Sequence, residues 1–115
     1  MADPRYVLVV EDEDSIRIPL KDYLTRVGFS VLVASDGVGA IKHLLDHEVA
    51  AIVTDYRMDI LGGDYWVRFL QRFFPDQKIV LTSGFLKSDI AHPFEVIIKP
   101  YSFVELEAKL RSMLG

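Results

Sequence analysis

The stretch Tyr-Val-Leu-Val-Val-Glu-Asp at residues 6–12 joins five consecutive apolar residues to a pair of acids. A continuous apolar run of this length is typical of a strand that is covered on both faces, as strands of parallel sheets are. If similar runs form parallel strands of one sheet, their carboxyl ends meet in one crevice, where such sheets bind ligands. Three later runs have this form: residues 51–54 before Asp55, 78–82 before Ser83 and 95–98 before Lys99.

Stretches with helical spacing lie between these runs, and the alternation predicts βαβ units around a parallel sheet. The first helix is predicted over residues 15–27, with Asp14 as its N-cap and a kink or strain at Pro19. The other predicted elements are a strand over 30–34, a helix around 40–45, a helix over 65–74 with Trp66, Phe69, Leu70 and Phe73 facing inward, a short helix at most within 84–93, and a last helix over 102–114.

Five such strands with right-handed crossovers predict an α/β fold with a doubly wound parallel sheet in the order 2-1-3-4-5. Helices on both faces would make this a flavodoxin-like three-layer sandwich with a shortened fourth helix. The chain has 115 residues, half of them hydrophobic, which fits a single domain over residues 1–115 with one core.

Composition narrows the classes of function. The net charge of -4 argues against direct binding of nucleic acid. The chain has no cysteine, which excludes disulfides and thiolate metal sites and suits a reducing compartment. Its start does not resemble a signal peptide, and no apolar run is long enough to cross a bilayer. We therefore expect a cytoplasmic domain that does not bind membranes.

The polar residues at the predicted strand ends suit a divalent cation beside a phosphoryl group. Glu11 and Asp12 are adjacent carboxylates that repel each other unless a cation lies between them. Asp55 would add a third acid, and Mg2+ prefers carboxylate, water and phosphate oxygens. Each feature also has an ordinary explanation, as a helix-end charge, a turn, a helix cap or a Lys-Pro turn with a cis peptide. Their joint occurrence in this order, each at a strand end, favours the binding site.

Four motifs resemble those of the receiver domain of two-component response regulators. They are Val-Val-Glu-Asp-Glu at 9–13, Val-Thr-Asp-Tyr-Arg-Met at 53–58, Leu-Thr-Ser-Gly at 81–84 and Ile-Ile-Lys-Pro at 97–100. The resemblance spans the whole chain. It implies that Asp55 accepts a phosphoryl group from a phosphohistidine on a sensor histidine kinase or a histidine phosphotransfer protein. The chain would then be a phosphorylation switch rather than an enzyme, with its output partner unknown and a homodimer left open.

The resemblance also implies a role for each site residue. Asp55 would be the nucleophile that forms an acyl phosphate. Lys99 would neutralise phosphoryl oxygens, and the Ser83 hydroxyl would donate to one of them. Mg2+, with Mn2+ as an alternative, would be bound by three carboxylates and one backbone carbonyl, those of Glu11, Asp12 and Asp55 and that of Arg57.

The chain departs from the family pattern at several positions. Val96 stands three positions before Lys99, where the family usually has the aromatic residue that reads out the switch. Asp59 replaces a proline after the methionine. Only fifteen residues separate Ser83 from Lys99, which is why the fourth helix is expected to be short. Phe85 is bulky and is expected to slow hydrolysis of an acyl phosphate by impeding the attacking water.

Two alternatives stay open. A haloacid-dehalogenase-like phosphatase has similar motifs in the same order, with Asp12 as nucleophile followed by Asp14, Ser83 and Lys99. Against it, the chain is short, no acidic pair follows the lysine at a further strand, and Asp55 is left unexplained. A degenerate receiver that only binds a partner is disfavoured because all the signature side chains are present. No glycine-rich motif for a dinucleotide or a P-loop nucleotide is present.

Overall fold

In the computed structural model, which describes residues 5–58, 60–84 and 94–115, strands and helices alternate except between the fourth and fifth strands. The strands are β1 (Tyr6–Val10), β2 (Val31–Ala34), β3 (Val49–Asp55), β4 (Lys78–Ser83) and β5 (Glu95–Ile98). The helices are α1 (Asp14–Arg26), α2 (Gly37–Asp46), α3 (Gly63–Phe73) and α4 (Phe103–Leu114). The predicted short helix within 84–93 falls almost wholly outside the described residues, as do Asp59 and Phe85. No helix of the described residues is long and apolar enough to cross a membrane.

The five strands form one parallel sheet in the order β2-β1-β3-β4-β5, which confirms the predicted fold class. Successive residues of a strand point to opposite faces, so β1 contributes to two cores. Val7 and Val9 pack with α1 and α4 on one face. Leu8 and Val10 pack with α2 and α3 on the other. The sheet is therefore the middle of three layers, and its continuous apolar strands are buried on both sides.

Two strands extend further than their apolar residues indicate. β3 includes Asp55, which pairs with Thr82, and β4 includes Ser83, which pairs with Ile98. The Lys99 amide then donates to the Ser83 carbonyl at 2.7 Å, which carries the ladder one residue past β5. Ladder hydrogen bonds use only backbone groups, so a polar side chain does not end a strand. The candidate residues are thus held by the sheet itself at its carboxyl edge.

The start of α1 differs from the prediction. The helix begins at Asp14, and Glu13 is the N-cap residue, without a side-chain capping bond. The Asp14 carboxylate instead forms an ion pair with Arg17 in the next turn. The helix continues through Pro19 to Arg26. Pro19 is exposed, so water can bond the carbonyl that its ring leaves without an amide partner.

Helix α3 is tied to the strand that carries Asp55. Trp66 is fully buried, and its indole Nε1 donates to the Thr54 hydroxyl at 2.9 Å. Trp66 stacks on the half-buried Phe69 with their ring centroids 5.9 Å apart. The prediction that Phe73 faces inward is wrong, because its side chain is 60% exposed and lies beside the Arg72 guanidinium. Residue 73 lies in the last turn of the helix, past the edge of the buried stripe.

Candidate functional site

Three acids meet at the carboxyl edge of the sheet. Glu11 and Asp12 directly follow β1, and Asp55 ends the neighbouring strand β3. One carboxylate oxygen from each lies within 4.8 Å of the other two. This spacing lets all three oxygens contact one cation, and hard oxygen ligands suit Mg2+. The acids that the sequence places at two separate strand ends therefore form one cluster.

Lys99 reaches the same cluster from the end of β5. Its Nζ lies 3.0 Å from Glu11 Oε1 and 3.2 Å from Asp55 Oδ2. Both carboxylates are almost completely buried, with exposed side-chain fractions of 4% and 8%. The peptide bond between Lys99 and Pro100 is cis. Lys99 thus bridges two like charges that would otherwise repel each other in a region of low dielectric.

Burial shifts the protonation of this cluster. Burial raises the pKa of Glu11 to about 7. The hydrogen bond from Lys99 opposes this increase, and the negative charge of Asp55 adds to it. Burial also raises the pKa of Asp55, although Lys99 and the Arg57 amide oppose the shift. Burial alone would lower the pKa of Lys99, but its bonds to the two acids outweigh this and raise it. Lys99 by itself therefore leaves the three acids with an excess of negative charge, which a bound cation would neutralise.

A cavity of about 710 Å³ opens beside the acids. Asp55 and Asp12 line it together with Lys99, whereas Glu11 does not. The other lining residues belong to the two loops around the site and the end of β4: Glu13, Tyr56, Arg57, Met58, Gly62, Gly63 and Gly84. The cavity is large enough for a small phosphorylated molecule or for one phosphorylated side chain of a partner.

Ser83 and Arg57 lie at the same edge. Ser83 is buried at the end of β4, between the strands that carry Asp55 and Lys99. The Arg57 amide faces the Asp55 Oδ1 atom at 3.4 Å, which brings its peptide group beside the acid cluster. All six residues that the sequence singled out are therefore at this edge of the sheet, in the order of the strands that carry them.

The loop after Asp55 folds tightly against itself. A Cβ atom at Gly62 would lie 2.6 Å from the Met58 carbonyl oxygen and 2.7 Å from the Met58 nitrogen, so only glycine fits there. Gly63 has a φ of 60° and donates to the Tyr56 carbonyl at 2.6 Å. The Tyr56 hydroxyl in turn donates to the Asp64 carboxylate at the start of α3. These contacts hold one wall of the cavity in place.

Sequence reasoning missed one residue at this site, Arg17. Its Nη1 donates to the Glu11 carbonyl at 2.9 Å, while its other terminal nitrogen pairs with Asp14. The only signal in the sequence is an arginine three residues after an acid in the first turn of a predicted helix. Such i,i+3 pairs are common on helices and do not by themselves indicate a site.

The geometry separates the two candidate nucleophiles. Asp55 both lines the cavity and lies next to Lys99. Asp12 lines the cavity, but the ion pairs among the described residues do not join it to Lys99. An attacking carboxylate needs a cationic group close to the phosphoryl oxygens that it will hold. This arrangement favours Asp55 over the Asp12 of the phosphatase alternative.

Comparisons with known proteins agree with this geometry. A family model described as the response regulator receiver domain matches residues 7–111. The chain is 32% identical to the sensor kinase CckA of Brucella abortus, over 94% of the chain and 12% of that protein. It is 34% identical to the probable transcriptional regulator ycf27 of Pyropia yezoensis, over 94% of the chain and 46% of that protein. The chain thus spans less than half the length of these curated relatives.

Solved structures show the same architecture. The response regulator TrrA of Thermotoga maritima, crystallised in complex with Mg2+ and beryllium fluoride, is 28% identical, with a TM-score of 0.83 over 96% of this chain and 99% of that one. The chemotaxis protein CheY4 of Vibrio cholerae has a TM-score of 0.87 at 21% identity, over 97% of this chain and 100% of that one, and shares the fold.

Proposed function

Because the chain belongs to the response regulator receiver domain family of two-component signalling, we propose that Asp55 is its phosphoacceptor. One observation carries this proposal. Asp55 belongs to the cluster of three carboxylates, lines the cavity and lies 3.2 Å from Lys99 Nζ. Receiver domains are signalling switches that pair with sensor histidine kinases, so the donor would be a phosphohistidine on such a kinase or on a histidine phosphotransfer protein.

The transfer uses groups that are already in place. An Asp55 carboxylate oxygen would attack the phosphorus atom, the P–N bond to the donor imidazole would break, and that nitrogen would take the bonding electrons. The product is an acyl phosphate on Asp55. Lys99 would move its contacts from the two carboxylates to the phosphoryl oxygens, and the Ser83 hydroxyl would donate to one of them. Preorganised cations and donors of this kind supply most of the catalysis in phosphoryl transfer.

The acid cluster fits Mg2+, and Mn2+ shares the same preference for oxygen ligands in octahedral geometry. The proposed ligands are three carboxylates and one backbone carbonyl, those of Glu11, Asp12 and Asp55 and that of Arg57. Bound there, the cation would neutralise charge on the phosphoryl oxygens. The added charge on phosphorylated Asp55 would then bias the carboxyl end of β4, where Ser83 lies, and the residues beside it toward a second conformation. We propose that residues 1–115 act as a single receiver domain in this switch.

The affinity for Mg2+ is expected to depend on pH because the pKa of Glu11 is about 7 without a cation. A proton on Glu11 must leave before Mg2+ can bind, so protons compete with the cation. We expect the apparent dissociation constant to change little above a pH of about 8 and to rise up to about tenfold per pH unit below about 7. Calorimetric titrations at several pH values, each in two buffers of different ionisation enthalpy, measure both the affinity and the protons released.

Glu11→Gln is the matched control for this titration, because it keeps the shape of the side chain and removes the ionisable group. It should bind Mg2+ more weakly but with a flatter dependence on pH. An affinity of the unaltered protein that stays constant between pH values of about 6 and 8 would contradict the assignment of Glu11 as a titrating ligand.

The proposed function is tested by incubating the protein with acetyl phosphate and Mg2+ and measuring its intact mass. One phosphoryl group should be added, hydroxylamine should release it because acyl phosphates are labile to that nucleophile, and excess chelator should prevent its formation. A mass that does not change, or a phosphoryl group that survives hydroxylamine, would contradict a receiver function that depends on a carboxylate.

A further inference from the structure

Residues 11–14 are four consecutive acids, and the structure brings two of them into the cluster. Glu11 and Asp12 join the cluster with Asp55. Asp14 points away from it, with 75% of its side chain exposed and its carboxylate paired with Arg17. Four like charges on a short connection between β1 and α1 repel one another, so an additional contact is needed to hold Glu11 and Asp12 in the cluster.

Arg17 supplies that contact. From the second turn of α1, its Nη1 reaches back to the Glu11 carbonyl at 2.9 Å, and its Nη2 binds the Asp14 carboxylate. Only 17% of the Arg17 side chain is exposed, so its bond to the Glu11 carbonyl is partly shielded from water, whereas the ion pair with Asp14 is exposed. The planar guanidinium directs several N–H groups in fixed directions, which lets one side chain hold two acceptors in a defined geometry.

The hydrogen bond from Arg17 to the Glu11 carbonyl affects the positions of both Glu11 and Asp12. That carbonyl and the Asp12 amide belong to the same planar peptide unit. The Glu11 amide on the other side is held to the Ala34 carbonyl of β2 at 3.0 Å. With both ends of the Glu11 backbone held, the direction in which the Glu11 side chain leaves the chain is fixed, and so is the position of the Asp12 Cα atom.

Arg17 differs in the atoms that it contacts from Lys99, a second cationic side chain at the site. Lys99 contacts carboxylate oxygens of Glu11 and Asp55, the same kind of atom that a metal ion would use. Arg17 instead binds the backbone carbonyl of Glu11, so it does not occupy the carboxylate oxygens that would bind the cation. Such outer contacts orient metal ligands, and their loss typically weakens metal binding about 10- to 100-fold.

We propose that Arg17 is a positioning residue that orients Glu11 and Asp12 for a divalent cation by clamping the peptide between them, an inference that rests on the proposed function of the acid cluster. The proposal predicts that removal of Arg17 changes the affinity for Mg2+ in the direction opposite to that expected from charge alone. Removing a positive charge near three carboxylates should by Coulomb attraction alone strengthen binding of Mg2+. Loss of the clamp should weaken it instead.

The test is calorimetric titration of Mg2+ into the metal-free protein and three variants, at a temperature where circular dichroism shows each to be folded. Arg17→Met and Arg17→Gln, neither of which spans to the Glu11 carbonyl, are expected to raise the dissociation constant about tenfold. Arg17→Lys keeps a donor and should restore most of the affinity. Asp14→Asn breaks the ion pair but not the clamp, and should change the affinity by less than about threefold.

The outcomes separate this inference from the proposed function. Unchanged or tighter binding of Mg2+ by Arg17→Gln and Arg17→Met would overturn the inference, whereas the unaltered protein would still be phosphorylated. Failure of the unaltered protein to bind Mg2+ or to accept a phosphoryl group would overturn the proposed function and the inference with it. If Arg17→Met does not fold, Arg17→Gln and Arg17→Lys decide the question between them.

Discussion

Asp55→Asn is expected to abolish phosphorylation by acetyl phosphate, with incorporation reduced by at least about a thousandfold. The amide has the shape of the carboxylate but lacks its nucleophilic oxygen, so no acyl phosphate can form. Glu11 keeps its own contact with Lys99 Nζ at 3.0 Å, so the lysine stays at the site. The measurement is intact mass after incubation with acetyl phosphate and Mg2+, with thermal unfolding as a check that the variant is folded.

Asp12→Asn is the matched control, since it makes the same chemical change in the same cluster. It should bind Mg2+ more weakly and react more slowly, but at saturating Mg2+ it should still gain one phosphoryl group on Asp55. The phosphatase alternative predicts the reverse, with turnover lost in Asp12→Asn and kept in Asp55→Asn. Retention of a hydroxylamine-labile phosphoryl group in Asp55→Asn would place the nucleophile elsewhere.

Lys99→Met should separate binding of the cation from transfer of the phosphoryl group. The loss of a preorganised cation at the phosphoryl oxygens is expected to slow transfer about 100- to 1000-fold. Binding of Mg2+ should stay the same or become tighter, because Lys99 is a competing positive charge within 3.2 Å of two of the cluster acids. Stopped-flow fluorescence can follow both steps, since Trp66 is the sole tryptophan and hydrogen-bonds Thr54, the neighbour of Asp55.

Lys109→Met makes the same substitution at a distant site and serves as the control. Lys109 pairs with the exposed Glu95 at 3.2 Å on the surface, an ion pair of the kind that contributes little. Its transfer rate and its affinity for Mg2+ should match those of the unaltered protein. A Lys99→Met variant that transfers at the normal rate would show that Lys99 does not act on the phosphoryl group. One that binds Mg2+ much more weakly would contradict the competition between Lys99 and the cation.

Sequence reasoning located five of the six candidate residues because each stands at the end of an apolar run that is visible in the sequence, and Arg57 came from the family resemblance. It did less well at the beginning of α1 and at the end of α3. Glu13 rather than Asp14 is the N-cap of α1, and Phe73 is exposed rather than buried. Both errors concern helix ends, where one residue more or less changes the direction of a side chain by about 100°, a step that a periodic pattern does not resolve.

The sequence by itself determined the layers of the fold, the parallel order of its strands and the edge where Glu11, Asp55 and Lys99 gather. These follow from local periodicity and from the short, right-handed connections that such a pattern permits. Only the tertiary structure decided that Lys99 bridges Glu11 and Asp55. It also placed Arg17 on the Glu11 carbonyl. Those contacts depend on the directions in which side chains leave separate elements, and these directions are fixed only once the elements have packed together.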